Sequence, residues 1–224
     1  MPLRVLVSGF EPFDHSPYNP SGEAARALDG THVTALDGGR QRSGNVLGRV
    51  LPVLWNVAGN QLVQLIRTLH PHIVISTGMA AGTFRVEQQA DDAWVDHRDN
   101  HRRRPRHPRT SPTRFQATSL PVAAIEQAIR TAGGNATPST NAGGFICDNV
   151  FLALMDAFYS SSLPMRMFRA GFIHVPNDTF ITRPGFVSSQ QGAIPQSTVN
   201  AAIRAAVEAT IADLSDAEYR QTQP

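Results

Sequence analysis

Two hydrophobic spacings divide the chain. Residues 3–9 (LRVLVSG), 72–77 (HIVIST) and 169–176 (RAGFIHVP) are short, near-continuous apolar runs closed by turn residues, Pro176 ending the third. Runs of this form predict strands buried on both faces, as in a parallel or mixed sheet. Between them the apolar residues recur with helical spacing over 21–28, 56–69, 121–131, 148–160 and 197–214. Ser21 is the expected N-cap of the first helix, with Ala24, Ala25 and Leu28 on its inner face. Strand and helix therefore alternate, which predicts an α/β fold. The expected architecture is a single-domain three-layer α/β/α sandwich with a mixed, mostly parallel central sheet. Functional groups in such folds gather at the carboxyl ends of strands.

Composition narrows the chemistry. A chain of 224 residues that is 41% hydrophobic closes a sizeable core as one unit, 1–224, with no internal repeat or dividing linker. The formal charge is +2, too small a field to draw in nucleic acid or membranes. All 20 basic residues are arginine, which excludes Schiff-base and lysine-nucleophile mechanisms. A lone cysteine forms no internal disulfide, and the run after Met1 is far too short for a signal peptide or a membrane span. A cytoplasmic protein is expected.

One segment breaks the pattern. Residues 97–114 hold seven arginines and three histidines without apolar periodicity, so a solvated loop is expected there. No aromatic residue is interleaved before Phe115 to stack on bases, and an RNA site is not expected. Residues 218–224 read as a polar, fraying tail.

Candidate chemistry centres on Cys147, the only cysteine, in NAGGFICDNVFLALMDAF (141–158). Phe151, Leu154, Met155 and Phe158 fall at i, i+3, i+4 and i+7, so an amphipathic helix follows the thiol. Unpaired N–H groups at a helix start favour an anion, which predicts a lowered thiol pKa. Gly143 and Gly144 allow a sharp turn and a close approach to substrate. Of eight histidines, three lie in the arginine-rich loop, and His70 and His72 flank Pro71 at a turn where solvated or capping roles are expected. His174, at the end of an apolar strand, is the candidate base. Glu11, Glu23, Glu87, Asp91, Asp148 and Asp178 are all conceivable orienting carboxylates, and spacing does not choose among them.

Taken together these segments resemble the pyroglutamyl peptidase I family, also called pyrrolidone-carboxylate peptidase, over nearly the whole chain. The likeness is carried by VSGFEPFDHSPYNPSGEA (7–24), NAGGFICDNVF (141–151) and GFIHVP (171–176), in family order. It implies a cysteine peptidase that removes amino-terminal pyroglutamate from peptides. By motif position its Cys, His and Glu triad falls on Cys147, His174 and Glu87, the last placed after the strand HIVIST, the turn GMAAG and TFRVEQ. The resemblance further implies that Phe10, Phe13 and Phe145 bind the lactam ring, with Asn19 as a polar contact. No cofactor or metal is implied, and family members assemble as dimers or tetramers.

Departures from the family pattern cluster around Glu87. Met79 stands where many relatives have glutamine, Gln88 where they have arginine, and Ala90, Asp91 and Asp92 where Ala-Ile-Asn is common. The nearest candidate for a further arginine of the family is Arg98. Two other readings compete. An amidotransferase-like hydrolase would need a Gly-x-Cys-x-Gly elbow, and FICDN lacks the second glycine. A catalytically weak or silent relative would bind peptides or RNA instead, and retention of both Cys147 and His174 speaks against it.

Overall fold

The computed structural model describes residues 2–160 and 166–222. It opens with β1 (Leu3–Phe10), α1 (Pro20–Leu28), β2 (His32–Asp37), β3 (Arg40–Leu51) and α2 (Val57–Leu69). Next come β4 (Ile73–Ala80), β5 (Phe84–Glu87), β6 (Gln89–Asp91), β7 (Phe115–Ala117), α3 (Val122–Thr131), β8 (Ala136–Ser139) and α4 (Ile146–Tyr159). The remainder is β9 (Arg169–Pro176), β10 (Ile181–Thr182), β11 (Ile194–Pro195), α5 (Gln196–Ala212) and α6 (Asp216–Arg220).

Seven strands form one sheet in the order β2-β3-β1-β4-β9-β5-β8. Neighbours run parallel except β2 against β3 and β5 against β9. The three apolar runs read from the sequence, β1, β4 and β9, lie side by side at the centre, where both faces are covered. Alternate β1 residues serve opposite cores. Leu3, Val5 and Val7 pack with α1, α3 and α5, whereas Leu6 and Phe10 pack with α2 and α4. Two apolar clusters on either side of one sheet make the three-layer α/β/α sandwich, a single domain. No helix among the described residues is long and apolar enough to cross a membrane.

Several elements depart from the sequence reading. The long strand β3 carries Arg42, Gly44, Val46 and Gly48 at its buried positions, so its pattern shows no apolar alternation. Arg42 is buried because its guanidinium donates to the carbonyls of Ala212 and Leu214 and pairs with Asp216. That contact orders the chain end. Ser215 and Glu218 form a capping box on α6, so residues 218–220 are helical rather than a fraying tail, while 223 and 224 lie outside the described residues. The N-cap of α1 is Asn19, whose Oδ1 accepts from Ser21 N–H at 3.1 Å, and not Ser21. Ser21 Oγ instead accepts from Phe10 N–H at 3.1 Å, tying α1 to the end of β1.

Residues 92–114 form neither helix nor strand, yet the start of the arginine-rich segment is not a solvated excursion. Asp99 is buried and accepts from the N–H groups of Trp55, His101 and Arg103. Asn100 N–H donates to Val53 O at 3.1 Å, and its side chain donates to Glu11 Oε1 and Pro12 O, both at 2.9 Å. The Asp99 carboxylate thus ties this stretch to the segment after β3, and the Asn100 amide ties it to the loop after β1.

Candidate active site

Strand register brings the candidate residues together. In the parallel β4/β9 pair Gly78 stands opposite His174, and in the antiparallel β5/β9 pair Arg85 stands opposite His174 and Glu87 opposite Phe172. Residues two apart on a strand share a face, so Arg85 and Glu87 project together, as do Phe172 and His174. Phe172 packs with α4, which identifies the covered face. There His174 Nδ1 and Glu87 Oε1 meet at 2.7 Å, both side chains buried. The carboxylate fixes the imidazole tautomer with Nδ1 protonated and Nε2 free to take a proton. The Phe172 ring, its centroid 4.9 Å from that of the imidazole, closes the other side.

Cys147 enters this face from above as the second residue of α4. A Cβ on Gly78 would lie 2.9 Å from Cys147 Sγ and 2.9 Å from Phe172 Cζ, so only glycine lets the thiol approach the strand beside His174. Just upstream, Gly143 and Gly144 take φ of 91° and 68°, the left-handed region that turns the chain into α4. Asp148 locks that turn, accepting from Gly144 N–H at 2.6 Å, and Gly144 O accepts from Val95 N–H at 2.8 Å.

The electrostatics at the thiol combine opposing influences. Burial, then the negative charges of Asp148 and Glu87, push the Cys147 thiol up to about 12. Burial also lowers His174, against the raising effect of Glu87. Cys147 is only half-buried and borders the open pocket beside it, so at the thiol the anion-favouring helix start and the desolvating, negatively charged surroundings act in opposite directions. Asp148 itself is pushed up to about 7, chiefly by burial, with the Gly144 N–H opposing and Asp91 adding to the rise. Its side chain serves the glycine turn, not His174.

Beside Cys147 lies a narrow, mostly apolar pocket lined by Phe10, Phe13, Asn19, Val53, Met79, Phe145, Ile146 and Cys147. All four residues that the resemblance assigned to the ring thus share one pocket with the thiol. Phe145 stands 5.0 Å from Phe13, 5.2 Å from Trp55 and 5.1 Å from His97, centroid to centroid. Asn19 is largely committed: Oδ1 accepts from Ser21 and Nδ2 donates to Glu11 O, leaving one amide N–H. Phe10 is also core, at 3% exposed, because it ends β1 under α4.

Sequence reasoning missed Trp55 and His97, which wall Phe145, and Arg85, whose Nε lies 3.7 Å from Glu87 Oε1. The two-residue spacing of Arg85 and Glu87 on one short strand was the available signal. Arg98, the arginine expected nearby, is exposed in a hollow with Asp14, His15 and Arg102. His72, expected to be solvated or capping, is buried and accepts from Arg4 N–H at 3.0 Å. His70 does end α2, in the left-handed conformation.

An α/β sandwich with a thiol at a helix start, beside a buried imidazole–carboxylate pair at its central strands, defines a cysteine hydrolase. The chain belongs to the pyroglutamyl peptidase family, whose model matches residues 3–213. It is 36% identical over 210 residues to a pyrrolidone-carboxylate peptidase of Pseudomonas fluorescens, covering 91% of this chain and 90% of that one. It is 34% identical to pyrrolidone-carboxylate peptidase 1 of Ralstonia nicotianae, covering 92% of each. Among solved structures, pyroglutamyl peptidase I of Bacillus amyloliquefaciens superposes with a TM-score of 0.77 at 26% identity, over 94% of this chain and 97% of that one. A mutant pyrrolidone carboxyl peptidase of Pyrococcus furiosus gives 0.75 at 26% identity, over 95% and 100%.

Proposed function

We propose that this protein hydrolyses the bond after an amino-terminal pyroglutamate, with Cys147 as nucleophile, His174 as general acid and base, and Glu87 as the group that orients the imidazole. The observation that carries the reading is the thiol's position, on the wall of the aromatic pocket and above the strand register of His174. A flat, uncharged lactam suits a slot between Phe10, Phe13 and Phe145, and the uncommitted Asn19 N–H offers its carbonyl a donor. A free glutamate or glutamine end would carry charge into the same apolar space and lose its hydration.

The chemistry follows from this arrangement. As the substrate carbonyl reaches Sγ, the thiol proton passes to His174 Nε2 and sulfur bonds to carbon. Phe145 supplies no side-chain cap to α4, so first-turn N–H groups are available to the tetrahedral oxyanion. Each well-placed donor contributes about 3 kcal/mol. The imidazolium protonates the departing amine, the C–N bond breaks and a thioester remains. Water then gives its proton to His174, attacks the thioester and releases pyroglutamate and the thiol.

The setting of this activity is cytoplasmic peptides, and copies of the chain are expected to associate as dimers or tetramers, which light scattering measures. The decisive assay compares release of aminomethylcoumarin from pyroglutamyl, glutaminyl and prolyl conjugates by the wild type and Cys147→Ala. Turnover of the pyroglutamyl compound alone, lost in the variant, is the expected result. A folded wild type that turns over none of the three would sink the reading.

A further inference from the structure

Arg85 has no part in the steps above, yet it is built into the site. It is the register partner of His174 and shares a face with Glu87. Its Nε lies 3.7 Å from the same Glu87 Oε1 that meets His174. Arg85 Nε and Glu87 Oε2 are both buried and neither has a hydrogen-bond partner, so charge rather than a formed hydrogen bond couples them.

A fully buried carboxylate needs a compensating cation. Here two groups approach Glu87, the permanent charge of Arg85 and the imidazole of His174. Were His174 the only one, the pair would hold its proton as an imidazolium and the base would be occupied. The other charges facing the site are negative: Asp148 on α4 and, behind it, Asp91 on β6.

We propose that Arg85 is a positioning residue of the reaction, supplying the fixed positive charge beside Glu87 that leaves His174 free to take the Cys147 proton. This rests on the peptidase reading of the same site. In keeping with it, Arg85 lowers both Cys147 and His174, against the raising effect of Glu87 on each. Removing one positive charge raises the pH at which the site loses each of its protons, whichever member of the coupled set carries it.

The test is the pH profile of kcat/KM on pyroglutamyl-aminomethylcoumarin for wild type, Arg85→Gln and Arg85→Lys. The pH profile of Cys147 alkylation by iodoacetamide is measured in parallel, with circular dichroism to establish folding. Arg85→Gln should move the acidic limb of both profiles up by about one pH unit, and Arg85→Lys should return it to about the wild-type position. The shift should shrink when Arg85→Gln is made in a Glu87→Gln background. Superimposed profiles for wild type and Arg85→Gln would overturn the proposal, as would an Arg85→Lys profile displaced as far as that of Arg85→Gln, or an undiminished shift without Glu87. A wild type without turnover would end the peptidase reading, and the alkylation profile would still decide the role of Arg85.

Discussion

Glu87 and His174, 87 residues apart in the chain, meet at 2.7 Å with both side chains buried. Strand β5 runs antiparallel to β9 and so delivers the carboxylate to the Nδ1 side of the ring. The thiol approaches through Gly78 on β4, the strand on the opposite side of β9.

Glu87→Gln keeps an acceptor for Nδ1–H but removes the charge that steadies the imidazolium. Steady-state assays should show kcat lowered by about 100-fold or more, with the melting temperature little changed. A kcat near wild type would remove Glu87 from the reaction.

Desolvation and the neighbouring carboxylates push the Cys147 thiol up, so iodoacetamide should alkylate it more slowly at pH 7 than it does free cysteine. Alkylation faster than the free thiol would show that the helix end dominates after all.

Gly78→Ala places a methyl 2.9 Å from both Cys147 Sγ and Phe172 Cζ. The thiol must retreat, and kcat should fall by about 100-fold, because displacements of about 1 Å have that effect on reacting groups. Activity within a factor of a few of wild type would mean that α4 can shift without harm.

Asp148 gives a stability prediction with a definite sign. Its folded value, about 7, is raised above 3.8, so its contribution is fully present below about pH 4 and is lost as pH rises through 7. The loss is at most about 4 kcal/mol. Urea unfolding of the wild type and Asp148→Asn should show a decline between pH 4 and 7 that the variant lacks. Parallel pH dependences in the two proteins would contradict the assignment.

Phe13→Ala removes one wall of the pocket while leaving the reacting groups in place. KM for the pyroglutamyl substrate should rise about tenfold with kcat nearly unchanged. A fall in kcat at constant KM would place Phe13 in alignment rather than binding.

Local pattern decided much of this molecule. Burial on both faces of the central strands requires continuous apolar residues in β1, β4 and β9, and burial of one helical face requires the 3.6-residue period, so both were written into short windows of sequence. The same locality put Cys147 at the start of α4 after two glycines. Tertiary structure alone decided the rest, because it depends on residues far apart in the chain. Strand β3 hides its inward side behind arginine and glycines, since α1 and α5 supply what it packs against. Which of six carboxylates reaches His174 follows from the antiparallel docking of a four-residue strand, and the pairing of Arg85 with Glu87 follows with it. The surroundings of Cys147 divide in the same way: a helix end is local, but the desolvation and the carboxylates that oppose it exist only once the sheet and α4 have come together at the thiol.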